Sequence, residues 1–118
     1  MFTREFMLLG QALQAYQELV SIVIRYFTQD VRLVPVYSTR ILRVTAELYS
    51  GCLLMEQALV AQRKLSELPV GHHERPFYEG KVQGARFHVR NMLPDVMATV
   101  QIVKEADTSA MDVPEEAF

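Results

Sequence analysis

A chain of 118 residues is the size of a single domain, long enough for one hydrophobic core and too short for a cofactor fold plus a substrate domain. Half of it is hydrophobic and 22% is charged, with no Trp, five Gly, five Pro and six Met; this composition is globular and favours helix over sheet. The net charge of −2 conceals an acidic end: residues 105–118 carry Glu105, Asp107, Asp112, Glu115 and Glu116 and no base, leaving +3 on residues 1–104 without a basic cluster, so the pattern offers no footprint for nucleic acid or an anionic membrane.

From Phe2 to Phe27 the apolar residues Phe2, Phe6, Leu9, Leu13, Tyr16, Val20, Val23 and Phe27 recur at steps of four and three. This heptad seam predicts a first helix of about 26 residues, capped by Thr3. Thr28 to Pro35 reads as a connector, with Pro35 suited to the first turn of a second helix ending near Leu68. The seam expected there is Ile41, Val44, Leu48, Cys52, Met55 and Leu59, and Ala46, Ser50 and Gly51 make a small-residue patch where another helix could approach closely. The segment Leu68–Pro76, with Pro at both ends and Gly71 between, is a break.

A third helix is expected from about Pro76 through Tyr78, Val82, Ala85, Val89, Met92, Val96, Val100 and Val103, with a kink or short interruption at Pro94. Past Asp107 the acidic residues read as a flexible tail, so the expected organisation is one bundle over residues 1–107 and a tail over 108–118. The fold class is all-α: an up-down bundle of three long amphipathic helices. Leu8, Leu19, Ile22, Ile24 and Tyr26 on helix 1, and Phe87, Leu93 and Met97 on helix 3, lie off the main seams. Three helices cannot bury them all, so dimerisation or packing on another domain should complete the bundle.

No catalytic, cofactor or metal constellation emerges from the residues. His72 and His73 stand in a Pro-bounded loop with only Glu74 as a companion acid, and His88 reads as an exposed or hydrogen-bonded helix residue. Cys52, on an apolar stripe without a neighbouring base, reads as buried and inert; a lone Cys also suits a reducing compartment, with the cytoplasm the default. The pairs Arg86/Arg90 and Arg40/Arg43 could each hold a phosphate or a CoA group, but ion pairs are the better reading. Glu47 interrupts the most apolar part of helix 2 and requires a partner. It is expected to pair with Arg43 on its own helix or to meet helix 3 near Asn91 to Asp95, because a simple hairpin sets Glu47 and Arg86 some 18 Å apart in level. By the same geometry Arg86 should face Gln57, Ala58 or Ala61 and reach an acid such as Glu56 or a group on a partner. The run Ile41–Met55 is broken by Arg43, Glu47 and Ser50 and does not read as a membrane span.

Phe77-Tyr-Glu-Gly-Lys-Val-Gln-Gly-Ala-Arg-Phe-His-Val-Arg-Asn-Met-Leu-Pro94 resembles the FYxxKxxxARFxxxxxLP stretch of a helical extension at the C-terminus of one acyl-CoA dehydrogenase subgroup. Phe77, Tyr78, Lys81, Ala85, Arg86, Phe87, Leu93 and Pro94 match it. Tyr37–Ala61 is similar to that module's middle helix and residues 6–30 to its first, so the resemblance covers about residues 6–105. Enzymes of that family use FAD to take hydride from acyl-CoA thioesters, with a glutamate base in the core domain, and pass electrons to an electron-transferring flavoprotein. The resemblance implies a non-catalytic module packed on the dehydrogenase core or at a dimer interface. It carries over neither the base nor the flavin ligands. A second reading remains beside it, an independent helical interaction protein that dimerises through its leftover apolar face.

Overall fold

A computed structural model describes residues 1–118 and contains only helices: α1 (Thr3–Gln29), α2 (Leu33–Glu67), α3 (Arg75–Asn91), α4 (Pro94–Lys104) and a closing 3-10 turn, Glu115–Ala117. The up-down order is as the periodicities imply, with α3 and α4 as two halves of the third rod. Pro94 supplies the reason for the interruption. It stands in the first turn of α4, where its missing N–H costs nothing, and Met92–Leu93 form the joint before it. The connector between α1 and α2 is shorter than expected, because the helices stop and restart on either side of Asp30–Arg32. Asp30 there binds the Arg32 guanidinium twice, at 2.9 and 2.8 Å. Thr3 is not a cap: it is already helical, and Phe2 before it is buried.

The molecule is thin and long, 68 × 29 × 17 Å with a radius of gyration of 19.4 Å. A compact chain of this length would have a radius near ~13 Å. Only 23 of 118 residues are buried, as expected of a slab about two helices deep.

Half of the seam expected on α1 is at the surface: Phe6, Leu13, Val20 and Phe27 remain 41–59% exposed, while Phe2 is buried and Leu9, Tyr16 and Val23 pack at the edge of the core. The helix instead turns a heptad displaced by one residue into the bundle, Glu5, Ala12, Leu19, Ile22 and Tyr26, with Leu8 and Ala15 half-buried at its edge. A one-residue shift rotates the helix by about 100°. The buried set is less apolar than the exposed one, since it contains a carboxylate and an alanine, with a second alanine at its edge, and that is why periodicity alone favours the other stripe. Ala12, fully buried, lets a neighbouring helix come close where a Leu would hold it off.

On α2, Val44, Leu48 and Met55 are buried as expected, but Leu59 points outward and Ala58 and Ala61 take its place. Gly51 does mark a close approach: a Cβ there would stand 3.2 Å from Cδ2 of Leu93. Leu93, expected off the seam, is therefore fully buried. Cys52 is half-exposed rather than buried. Two tyrosines tie the ends together: the Tyr26 hydroxyl donates to the Val103 carbonyl at 2.5 Å, and the Tyr37 hydroxyl accepts from the Asp107 N–H at 2.8 Å.

Candidate interaction site

The motif of α3 divides into two faces. Arg75 fixes the start of the helix by donating through Nη1 to the Leu65 and Leu68 carbonyls, both at 3.0 Å, which satisfies acceptors left open at the end of α2. From there Val82, Ala85 and Val89 face the core, and Ala85, Ala58 and Ala61 together allow α3 to lie close on α2.

Arg86 and Arg90 cross to α1, not to α2. Glu5, only 1% exposed, accepts from Arg90 Nη2 at 2.6 Å and lies 3.5 Å from Arg86 Nε, while the Arg86 guanidinium sits 5.3 Å from the Phe2 ring centroid. The expectation that Arg86 would reach Glu56 is thus overturned. The third helix runs parallel to α1, so the first turn of α1 arrives at the level of residues 86–90. Burial pushes the Glu5 carboxyl up, but a backbone N–H and the two guanidinium groups outweigh it and hold the group below its ordinary value.

Glu47 pairs with Arg43 as expected, Oε1 to Nε at 2.9 Å, and Arg43 also reaches Asp95 at 3.2 Å. Its Oε2 has no partner. His88 is hydrogen-bonded: Nε2 lies 2.7 Å from the Glu47 carbonyl, so that nitrogen carries the proton. The arginines considered for a phosphate are therefore mostly engaged: Arg86 and Arg90 by Glu5, Arg43 by Glu47 and Asp95. His72 and His73 stack on each other at 4.5 Å, and no group of three His, Cys, Asp or Glu residues converges anywhere.

The other face of α3 is open. Phe77, Gly80, Gly84 and Phe87 follow at steps of three, four and three along one side of the helix. Phe77 and Phe87 are 62% and 65% exposed, and a Cβ at either glycine would meet nothing within 4 Å. The result is a saddle of bare backbone between two aromatic rings. Beside it, Leu53, Val60, Phe77 and Tyr78 line a groove of about 470 Å³ between α2 and α3, with Glu56 and Lys81 as its charged members. Tyr78 meets the Phe77 ring edge-on at 5.2 Å, and the Lys81 ammonium lies 5.4 Å from its centroid. A motif with Ala85, Arg86 and Leu93 turned inward and Phe77, Lys81 and Phe87 turned outward both builds the bundle and presents a surface.

Residues 2–114 match the protein family described as "Acetyl-CoA dehydrogenase C-terminal like". The chain belongs to that family. Among curated relatives of this acyl-CoA dehydrogenase C-terminal module, a butyryl-CoA dehydrogenase of Syntrophomonas wolfei subsp. wolfei is 41% identical over 117 residues, and a second from the same organism is 35% identical. Each alignment takes in 99% of this chain and 19% of the relative. The broad-specificity linear acyl-CoA dehydrogenase FadE5 of Mycobacterium tuberculosis is 40% identical over 81 residues, 69% of this chain and 13% of that protein. The module therefore spans about a fifth of the S. wolfei relatives it matches.

Proposed function

We propose that the chain is the assembly portion of a flavin-dependent acyl-CoA dehydrogenase and docks on the flavin-bearing core through the outer face of α3. The observation that carries this reading is the stripe Phe77–Gly80–Gly84–Phe87. Two aromatic side chains remain more than half in water beside two glycines that no contact within the chain requires. Exposed aromatic rings around a small-residue saddle suit a partner helix that can come close to the backbone and be gripped at both ends. The Lys81 and Glu56 charges beside the groove would orient that partner.

The parent activity, oxidation of an acyl-CoA thioester with FAD as the hydride acceptor, belongs to residues outside this chain. Arg86 and Arg90 share the single carboxylate of Glu5, and Arg43 is held by Glu47 and Asp95, so these three arginines are committed to ion pairs inside the bundle and do not fit that cofactor. Residues 1–107 act as one bundle, with 108–118 as an acidic appendage, in an enzyme of cytoplasmic fatty-acid metabolism. The module also supports a homodimer, because the apolar surface left on α1 and α2 exceeds what one docking face uses.

The test is Gly84→Leu together with Phe87→Glu in the parent enzyme. The expected result is impaired assembly or a lower melting temperature of the whole enzyme, while the circular dichroism of the separate 118-residue chain is unchanged. An enzyme with wild-type assembly and stability would overturn the docking reading. The separate chain is expected to purify without a flavin absorbance band.

A further inference from the structure

We infer that the outer face of α1 is a self-association seam that receives a second copy of the same helix in antiparallel orientation. This deepens the assembly role proposed above and rests on it. The face is the heptad that the bundle leaves outside, Phe6, Leu13, Val20 and Phe27, all 41–59% exposed. The seam is self-complementary. A two-fold axis between Tyr16 and Gln17 sets Phe6 opposite Phe27 of the second copy and Leu13 opposite Val20, so each aromatic end meets an aromatic end and each aliphatic centre an aliphatic centre.

Three further features agree with this occupant. The only charged residues exposed on α1, Arg4, Glu18 and Arg25, fall on its opposite edge at seven-residue repeats, so the symmetric pair brings no like charges together. Gly10 sits inside α1 with nothing within 4 Å of a Cβ, which leaves bare backbone beside the seam where a second helix can come close. Finally, the area is adequate. An all-apolar groove lined by Tyr16, Val20, Ile24 and Ile41 joins α1 to α2, where Leu42 and Tyr49 continue the surface at 72% and 67% exposure. With on the order of 100 Å² per side chain, the two-helix face offers roughly 600–800 Å² per copy, close to the ~800 Å² per partner of a stable complex. Two such α1–α2 faces make a four-helix layer.

By length and composition alone α1 could cross a membrane. Its ties to the bundle oppose that: the Glu5 ion pairs, the Tyr16 hydroxyl 2.8 Å from the Thr45 hydroxyl, and the Tyr26–Val103 bond. A second copy laid on the outer face leaves all three in place.

The experiment is sedimentation equilibrium of the 118-residue chain, its Leu13→Glu and Val20→Lys variants, and the two combined. The wild-type chain is expected to dimerise, and each single charge should weaken the dimer by about tenfold or more. The combined variant should recover most of that loss, because only the antiparallel register sets each new carboxylate against a new ammonium. In a Cys52→Ser background, Leu13→Cys with Val20→Cys should form a disulfide-linked dimer on mild oxidation. A monomeric wild-type chain overturns the seam while leaving the α3 docking test untouched, and indifference of the dimer to Leu13→Glu does the same. Failure of the combined variant to recover, without disulfide trapping, overturns the register. Co-sedimentation of the wild-type chain with phosphatidylcholine–phosphatidylglycerol vesicles, abolished by Leu13→Glu, would assign the face to lipid and overturn the proposal.

Discussion

The most consequential single side chain is Glu5. It is a carboxylate at the start of α1, almost fully removed from water, and it holds the first turn against α3 through Arg86 and Arg90. Removing one member of a buried pair costs more than the pair contributes, because the remaining charges lose their partner. Both arginines retain access to water, so Glu5→Gln should cost about 2 kcal/mol, less than for a fully enclosed pair; chemical denaturation measures it. The pH dependence follows from the direction of the shift. The Glu5 carboxyl titrates below its ordinary 4.5 in the folded chain, so its contribution is complete above that value and fades as the pH falls through the lower, folded value. Wild-type stability should therefore decline on acidification below about pH 4.5 more steeply than that of Glu5→Gln. Leu93 is the apolar counterpart. It is fully buried against the bare backbone of Gly51, and Leu93→Ala should cost about 3 kcal/mol in a thermal or urea melt, leaving a cavity that the rigid glycine-faced helix cannot fill.

At the scale of the helix, each rod has one face for the bundle and one for something else. On α3 the two faces interleave in a single motif: Ala85 and Val89 turn in, Phe77 and Phe87 turn out. Substitutions on the outer face should accordingly spare the fold. Phe87→Ser in the 118-residue chain should move the melting temperature by no more than a degree or two, since a ring 65% exposed has little burial to lose. Val89→Ser, two residues away and fully buried, should lower it severely. On α1 and α4, Tyr26 and Val103 make the corresponding end-clamp. Tyr26→Phe removes one of the bonds to the Val103 carbonyl, which keeps the Ala106 N–H at 3.2 Å, and should destabilise by about 1 kcal/mol, readable as faster exchange of amides in the last turn of α4.

For the molecule as a whole, thickness is the governing quantity. A slab 17 Å thick places most side chains within reach of a surface, and no rearrangement of three rods would bury the apolar residues that remain outside. Small-angle scattering should distinguish the states. The Leu13→Glu chain should give a radius of gyration close to the 19.4 Å of this elongated monomer, and the wild-type chain a larger particle of about twice the mass.

The amino-acid sequence already carries the number and order of the helices, the interruption at Pro94, the close approach at Gly51, the Arg43–Glu47 pair and the family, because each depends on local spacing or on a contiguous motif. It also showed that apolar side chains would be left over. Which ones they are was decided by the tertiary structure. Two heptads one residue apart run along α1, and hydrophobicity favours the one containing Phe6, Leu13, Val20 and Phe27. The bundle centres on the other and keeps only Phe2, Leu9, Tyr16 and Val23 of the first, because Ala12 and Ala15 let the helix come close and because Glu5 finds Arg86 and Arg90 across the interface. That last pairing joins positions more than 80 residues apart and depends on α1 lying parallel to α3. Small size and a distant partner charge are invisible to a count of apolar residues, yet they decide which face of the helix stays in water.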